Sequence, residues 1–595
     1  MASAPKLPLD DILYFLIKQP VSISYGSNGG LPPLGWRFLS LEQLEAKTAC
    51  FTRKYGWEAY KKGYKKTSKG GHWQYYCKTG RGQHCKVGWL AEEATVEICP
   101  GVSRTIWQLC QKPGGSSVHN HDLTATSDTF TSFTQRINMI WVGMTAGDPI
   151  GGDDGVPISI YPEGHTRSKL NAGSVTSQLH RDIVTYGLPL GDHFVRKEEN
   201  EGKEEVTHWT HESLILGLFI ARQSSVRLQN TMSWEGDGAA ENLEKALRAA
   251  PKDLTTVVML GHLLRPKGPP STGDFYKMVT MFAQVKPIRP FPNEAEWRRA
   301  GHKVGDLRLF DELAAEFNRN ADTKWLGFRP KWCDGGLTAE NCVLEGKTVA
   351  KKANSHGGND VVVLESSTTT GVSMSGNRVR LCCRSPKVSQ SPASRQLRGQ
   401  ASSKRLKTAC RPSANLSPGE NLGVIDADNH WFHEGYMPTL PSHGEYRVLM
   451  VRDTSLEALD GLVPPFRILK IVRSLPSDTG LEVKLFDADD DFSFINNPEI
   501  RQEKVVELQN YALVWATVLL HVGRYDHRYE SYKVGCRLDI GITELSGKFR
   551  CWVNEPTNFF EAGTVGFSEE TDVHMAWAKA FGVIASRGEL ARYVV

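Results

Sequence analysis

Cys536-Arg537-Leu538-Asp539-Ile540-Gly541-Ile542 is followed by Phe549-Arg550-Cys551-Trp552-Val553-Asn554-Glu555. Both segments read as strands, with apolar residues spaced so that one face can be buried. Each presents an acid, Asp539 or Glu555, and the second carries Asn554 beside its acid. Oxygen ligands on rigid strands suit Mg²⁺ when it also bridges substrate phosphates. Working outward, strands are expected over Val534–Ile542 and Lys548–Asn554. A strong helix near Glu499–Leu520 precedes them, and a helix around Val573–Ser586 follows.

Two earlier segments join this pair. Trp431-Phe432-His433-Glu434-Gly435-Tyr436-Met437-Pro438 leads into Gly444-Glu445-Tyr446-Arg447-Val448-Leu449-Met450-Val451, a second strand pair. Further upstream, Thr348 to Val363 reads as a strand delivering Lys351, a Ser/Gly-rich turn through Ser355, Gly357 and Gly358, and a returning strand. Glycines let backbone N–H groups approach a phosphate, and a strand-end lysine neutralises it. An ordinary Gly-Gly hairpin has the same pattern.

In this order the segments resemble the ATP-grasp family, over about residues 250–595. The stretch Trp297–Phe310 and a helix over Leu307–Phe317 are similar to its usual preceding segment. The resemblance implies a fold that binds Mg-ATP, activates a carboxylate as an acyl phosphate and joins it to an amine or thiol. It implies that Lys351 contacts phosphates and that Ser355, Gly357 and Gly358 form the loop. Glu434, Gly435 and Tyr436 would pass the adenine. Arg447 and Arg537 would stabilise phosphoryl charge, and Asp539, Glu555 and Asn554 would bind magnesium. Three departures stand out. The usual Glu-x-Asn is replaced by Asn554-Glu555, with Asn558 three residues beyond. His356 takes a place suited to a small residue, and an insert at 366–429 falls where the lid continues. The plainer alternative is an α/β domain in which Asp539 and Glu555 are ordinary strand-end charges.

Residues 41–125 are dense in Lys, Tyr, Trp and Gly. Cys77, Cys85, His119 and His121 are the donor types of a closed tetrahedral zinc site. The two histidines, at i and i+2, point to one side of an extended segment. Arg53, Lys54, Lys61, Lys62, Lys65 and Lys66 supply phosphate contacts, and a strand ribbon can enter the major groove. This stretch resembles the WRKY, glial-cells-missing and FLYWCH zinc fingers, which implies a zinc-bound sheet that binds DNA through those four ligands. Cys99 and Cys110 are alternative donors. The WRKYGQK signature is absent, so no base contact is implied.

Composition bounds the rest. The chain has 595 residues and a formal net charge of only +4, so two to four domains and a local nucleic-acid surface are expected. No export signal and no apolar run of membrane-spanning length are present, so a nuclear or cytoplasmic protein without a membrane span is expected. The 12 cysteines are scattered, which favours free thiols and a metal site over a disulfide framework. There is no internal repeat, no Walker loop and no Ser/His/Asp arrangement. Asp487–Asp491 lacks the Gly and distal Glu of a calcium loop and reads as a solvated turn. Lys404-Arg405-Leu406-Lys407 reads as a charged linker or an import patch.

The expected fold class is α/β (α+β). A large ATP-grasp-like domain carries a small N-terminal all-β zinc-bound domain. The boundaries are a leader (1–40), the zinc module (41–125), a linker (126–174), an α/β region (175–365), a disordered insert (366–429) and a C-terminal part (430–595). The expected function is DNA binding through 41–125, with zinc, joined to ATP-dependent ligation of a small-molecule carboxylate, with ATP and Mg²⁺. The alternative is a non-catalytic DNA-binding or transposon-derived protein with a degenerate α/β domain.

Overall fold

The computed structural model describes residues 37–113, 136–143, 216–333, 344–380, 407–408, 431–562 and 571–590, with short interruptions inside several of these ranges. The first sheet holds β1 (Arg37–Phe38), β2 (Ala59–Thr67), β3 (Gly70–Cys77), β4 (Gly88–Cys99) and β5 (Val102–Gln111), in the order β1-β5-β4-β3-β2 and antiparallel throughout. Both faces carry buried residues, with Tyr75, Trp89, Ala91 and Leu109 on one and Leu90 and Ile106 on the other. Helix α1 (Leu41–Lys54) belongs to the same unit, since the Tyr75 hydroxyl donates to Glu45 at 2.7 Å. The N-terminal module is therefore mixed α and β, not all-β, and Arg53 and Lys54 stand on a helix rather than a strand ribbon.

The second sheet is parallel. It contains β6 (Ile137–Gly143), β7 (Val226–Ser233), β8 (Thr256–Leu260) and β9 (Ile288–Phe291), in the order β7-β6-β8-β9. β6 falls inside the stretch expected to be a linker. Its residues are buried on both faces, as befits a parallel strand covered on two sides. Ile140 and Val142 pack with α2 (Ala239–Ala249) and α3 (Thr272–Ala283). Met139 and Trp141 face the other way. Two further helices follow, α4 (Glu294–Ala300) and α5 (Lys303–Asn318). Within the apolar run Leu214–Ile220, residues 216–217 and 219–220 are helical.

The third sheet is a small antiparallel one. It joins β10 (Trp332–Cys333), β11 (Thr348–Lys352), β12 (Val361–Leu364) and, from far along the chain, the strand Trp431–Gly435, in the order β10, that strand, β11, β12. Three short strands, β13 (Thr370–Val372), β14 (Arg378–Arg380) and β15 (Lys407–Thr408), pair within the expected insert. The strand Trp431–Gly435 is β16.

After α6 (Thr439–His443) comes the fourth sheet. It comprises β17 (Glu445–Arg452), β18 (Phe466–Ser477), β19 (Gly480–Leu485), β20 (Gly535–Leu545) and β21 (Lys548–Asn558). The order is β19-β18-β17-β20-β21, all antiparallel. Helix α7 (Ala488–Asp491) is capped by Asp487, which accepts from the Asp489 N–H at 2.8 Å. In the acidic run Asp487, Asp489 and Asp490 are exposed, as expected of a solvated segment, whereas Asp491 is buried and pairs with Arg473 at 2.7 Å.

Helix α8 (Pro498–Tyr525) begins where Asn497 accepts from the Glu499 N–H at 2.9 Å and Pro498 fills the first turn. By length and composition α8 could cross a membrane, but most of its apolar window is buried inside the fold. It packs on Tyr446, Val448, Met450, Leu538 and Ile540, and Phe310 and Phe317 of α5 meet its Trp515 at 5.1 and 5.4 Å. Helix α9 (Thr571–Ser586) takes the other side of the sheet. Leu449 and Val451 of β17 join Trp577 and Phe581 of α9, and Met139, Trp141 and Met259 of the parallel sheet close the same core. The Trp577 indole donates to the Met450 carbonyl at 2.9 Å. Alternate residues of β17 thus serve two cores, the period-two rule of a strand covered on both faces.

Candidate functional site

Glu445 and Arg447 share the face of β17 that carries Leu449 and Val451, at the end nearer the strand's start. Arg447 stands opposite Asp539 on β20, and Asp539 stands opposite Glu555 on β21. The three make one row across the sheet. Between Asp539 and Ile540 the β20–β21 register slips, leaving Asn554 as the extra residue of a bulge. A bulge re-aims a side chain. Here the Asn554 amide donates to Glu445 at 3.3 Å, and its oxygen accepts from Lys351 Nζ at 3.1 Å.

Lys351 arrives from the other antiparallel sheet. On β11 it pairs with Phe432 of β16, so Glu434, two residues on, is its diagonal neighbour. The ammonium donates to Glu434 Oε2 at 2.8 Å. Burial alone would lower the Lys351 pKa, but Glu434 reverses the direction and keeps it raised, with Glu445 and Glu555 adding to the effect. The Arg537 guanidinium grips both Asp539 oxygens, at 2.7 and 2.9 Å. Burial would raise Asp539, yet Arg537 and Arg447 outweigh it and bring the carboxyl below its ordinary value. Glu445 goes the other way. Burial, with the Asp539 charge beside it, pushes Glu445 up to about 8.

Lys351, Glu434, Arg447, Arg537, Asp539, Asn554 and Glu555 are therefore close in space, although they come from four strands beyond β11. Glu445 belongs with them. Sequence reasoning did not single it out, although its place two residues before Arg447 puts both on one strand face. Gly435 and Tyr436 lie just beyond, held by backbone bonds to Lys331 and Lys347. The Lys347 ammonium sits 4.5 Å from the Tyr436 ring centroid. Glu434, expected along the adenine, is engaged with Lys351. Ser355, Gly357 and Gly358 lie outside the described residues.

The fit to a magnesium nucleotide has two sides. Arg447 Nε is buried without a hydrogen-bond partner, and Glu445 Oε1 meets only the Asp539 carboxyl beside it. A phosphate oxygen would satisfy the first, and a divalent cation would replace the proton that Glu445 holds. Against this, Arg537 occupies both oxygens of Asp539, and Glu555 pairs with Lys303 at 3.3 Å. Bound phosphate would have to draw those cations to itself. Among the described residues, no group of three or more His, Cys, Asp or Glu is disposed to hold a metal ion.

Asn558 takes no part in this cluster. It accepts from Arg299 at 2.8 Å and from the Ser531 hydroxyl at 3.0 Å. Arg299 also donates to Asp306 at 2.6 Å, and its guanidinium packs 4.5 Å from the Tyr529 ring centroid. Glu296 accepts from the backbone and hydroxyl of Ser531, and burial lifts it to about 8 despite Arg299. This second buried network ties α4 and α5 to β21, the strand that carries Asn554 and Glu555.

In the N-terminal sheet, Cys77 is buried at the end of β3. Cys85, His119 and His121 lie outside the described residues, as does the zinc site they would make. Cys110, the alternative donor, is half-buried, and burial with nearby Glu92 pushes its thiol up to about 12. Lys61, Lys62, Lys65 and Lys66 are exposed on β2, an edge strand.

No family model matches the chain, and no curated protein matches it. Among solved structures it is similar to the D-cycloserine synthetase DcsG, with 12% identity over 75% of this chain and 99% of that one, at a TM-score of 0.32. It is likewise similar to D-alanyl-alanine synthetase A from Vibrio cholerae, with 9% identity over 76% and 99% of the two chains and the same TM-score, 0.32.

Proposed function

We propose that the region from about residue 250 onward binds a magnesium nucleotide and activates a small-molecule carboxylate for joining to an amine or thiol. The reading is carried by one observation. Lys351, on one antiparallel sheet, reaches Asn554 of the other beside the Arg447–Asp539–Glu555 row. In this reading Lys351 neutralises phosphate, and Arg447 and Arg537 oppose the charge of the transferred group. Asp539, Glu555 and Asn554 would hold the magnesium, with Glu445 beside them. When bound, the ion neutralises phosphate charge and orients its oxygens. The glycine turn through Ser355, Gly357 and Gly358 would cover the phosphates.

Calorimetric titration of Mg-ATP into the full chain tests this. Binding is expected, and it should vanish in Asp539→Asn/Glu555→Gln and weaken in Lys351→Met. A folded chain that takes up no nucleotide, or a double variant that binds like the parent, would sink the reading.

For residues 41–125 we infer a nucleic-acid-contacting module, as DNA-binding fingers are. The supporting observation is that Lys62, Lys65 and Lys66 are exposed on edge strand β2, whereas Lys61 is engaged by Glu45 at 2.6 Å. Lysines also blunt an edge strand against aggregation, so binding that falls with added salt is the discriminating measurement. Zinc content of the purified chain tests the ligand set Cys77, Cys85, His119 and His121.

A further inference from the structure

The two faces of the first sheet differ in chemistry, although the second also buries Leu90 and Ile106 away from the Tyr60–Tyr76 end. One buries Tyr75 and Trp89, stacked 5.5 Å apart, with Leu44 of α1 also buried. On the other, Tyr60 and Tyr76 are cross-strand partners, both half-buried, with rings stacked at 5.7 Å and 26°. The Lys62 ammonium lies 5.0 Å from the Tyr76 ring centroid, and the Lys112 ammonium lies 4.3 Å from it. Gln74 accepts from the Tyr76 hydroxyl at 3.2 Å and contacts His72, giving the same face a row of hydrogen-bonding groups. The surrounding stretch, residues 37–113, holds 14 Lys and Arg against 6 Asp and Glu, a net +8, while the whole chain carries +4. The basic charge of the protein is concentrated here.

Lysines alone would suit any polyanion. Paired rings with ammonium groups at their faces suit a narrower class, because a base must be unpaired and unstacked to lie on a side-chain ring. In a duplex the flat faces of the bases are covered by their neighbours, so Tyr60 and Tyr76 would have nothing to meet. We propose that this sheet face binds single-stranded nucleic acid, with bases stacked on the Tyr60–Tyr76 pair and the adjoining phosphates taken by Lys62 and Lys112. The proposal rests on the nucleic-acid reading of this module and requires neither zinc nor the nucleotide site.

The test is fluorescence anisotropy of the full chain with a labelled mixed-sequence single strand of about 12 nucleotides, within the site size of such surfaces. A hairpin duplex of equal charge and a heparin fragment serve as comparators. The single strand should bind more tightly than either. Tyr76→Ala should weaken single-strand binding about 5- to 150-fold, the measured range for losing one stacked base, and Tyr76→Phe should leave it unchanged. Lys62→Ala/Lys112→Ala should lower the slope of log affinity against log salt by about 1.4, at ~0.7 per phosphate contact on a single strand. Should Tyr76→Ala disturb folding by circular dichroism, the lysine pair and Tyr76→Phe still decide the matter. Duplex or heparin bound as tightly as the single strand overturns the proposal but leaves a general polyanion surface. No binding to any of the three overturns the nucleic-acid reading with it.

Discussion

Arg298 and Arg299 are sequence neighbours in opposite environments, and replacing each by Met separates a buried network from a surface pair. The Arg298 side chain is 40% exposed and pairs with Glu294, whereas that of Arg299 is 4% exposed. Arg299→Met removes the donors to Asp306 and Asn558 and leaves buried carboxyl groups without their cation. Removing one partner of a buried pair costs about 3–5 kcal/mol, while an exposed pair is worth ~1 kcal/mol or less. Arg299→Met should therefore shift the urea midpoint, followed by tryptophan fluorescence, several times further than Arg298→Met. Asp306→Asn added to Arg299→Met removes the stranded carboxylate, so the double variant should be more stable than Arg299→Met alone. Equal shifts for the two arginines, or a double variant whose losses simply add, would refute the reasoning.

Further outcomes follow from the same geometry. Glu296, raised to about 8, binds its proton more tightly in the folded chain than in the unfolded one. Its stabilising contribution is full below an ordinary carboxyl pKa and is lost as pH rises through about 8, so the parent should lose stability between pH ~5 and ~9 and Glu296→Gln should flatten that slope. Gly444, at φ +75°, has no room for a side chain, since a Cβ there would sit 2.4 Å from the Ser474 carbonyl oxygen. Gly444→Ala should cost about 1–3 kcal/mol in a denaturation curve and also weaken nucleotide binding, because Glu445 follows it directly. Asn497→Ala removes the cap of α8 and should cost about 1 kcal/mol by the same assay, with nucleotide binding intact.

The elements written as long periodic segments were legible from the residues alone. α8, α9, β20 and β21 fall where Glu499–Leu520, Val573–Ser586 and the two acid-bearing runs point. β6 was not legible. A short parallel strand buried on both faces has no alternation, and the Gly, Asp and Pro residues that follow it read as linker. α1 was hidden by the Lys- and Tyr-rich sequence after it, although the Ser40 hydroxyl oxygen accepts from the Gln43 N–H at 3.1 Å, as a cap does. In the candidate site, the facing of Asp539 and Glu555 follows from strand pairing, but the separation of Asn554 from Asn558 does not. It depends on a bulge of one residue, and nothing in Val553-Asn554-Glu555-Pro556 announces where the ladder slips.

The central position of β17 sets an order on the birth of the molecule. β18 and β19 follow it at once, but its other neighbour, β20, leaves the ribosome only after all of α8. Until then the backbone edge of β17 that β20 will pair forms an open margin, a template for any passing strand. A chain halted before residue 535 would keep that margin permanently. Fragments ending there belong among the species that associate with one another, whereas fragments reaching past β21 can close the sheet on themselves.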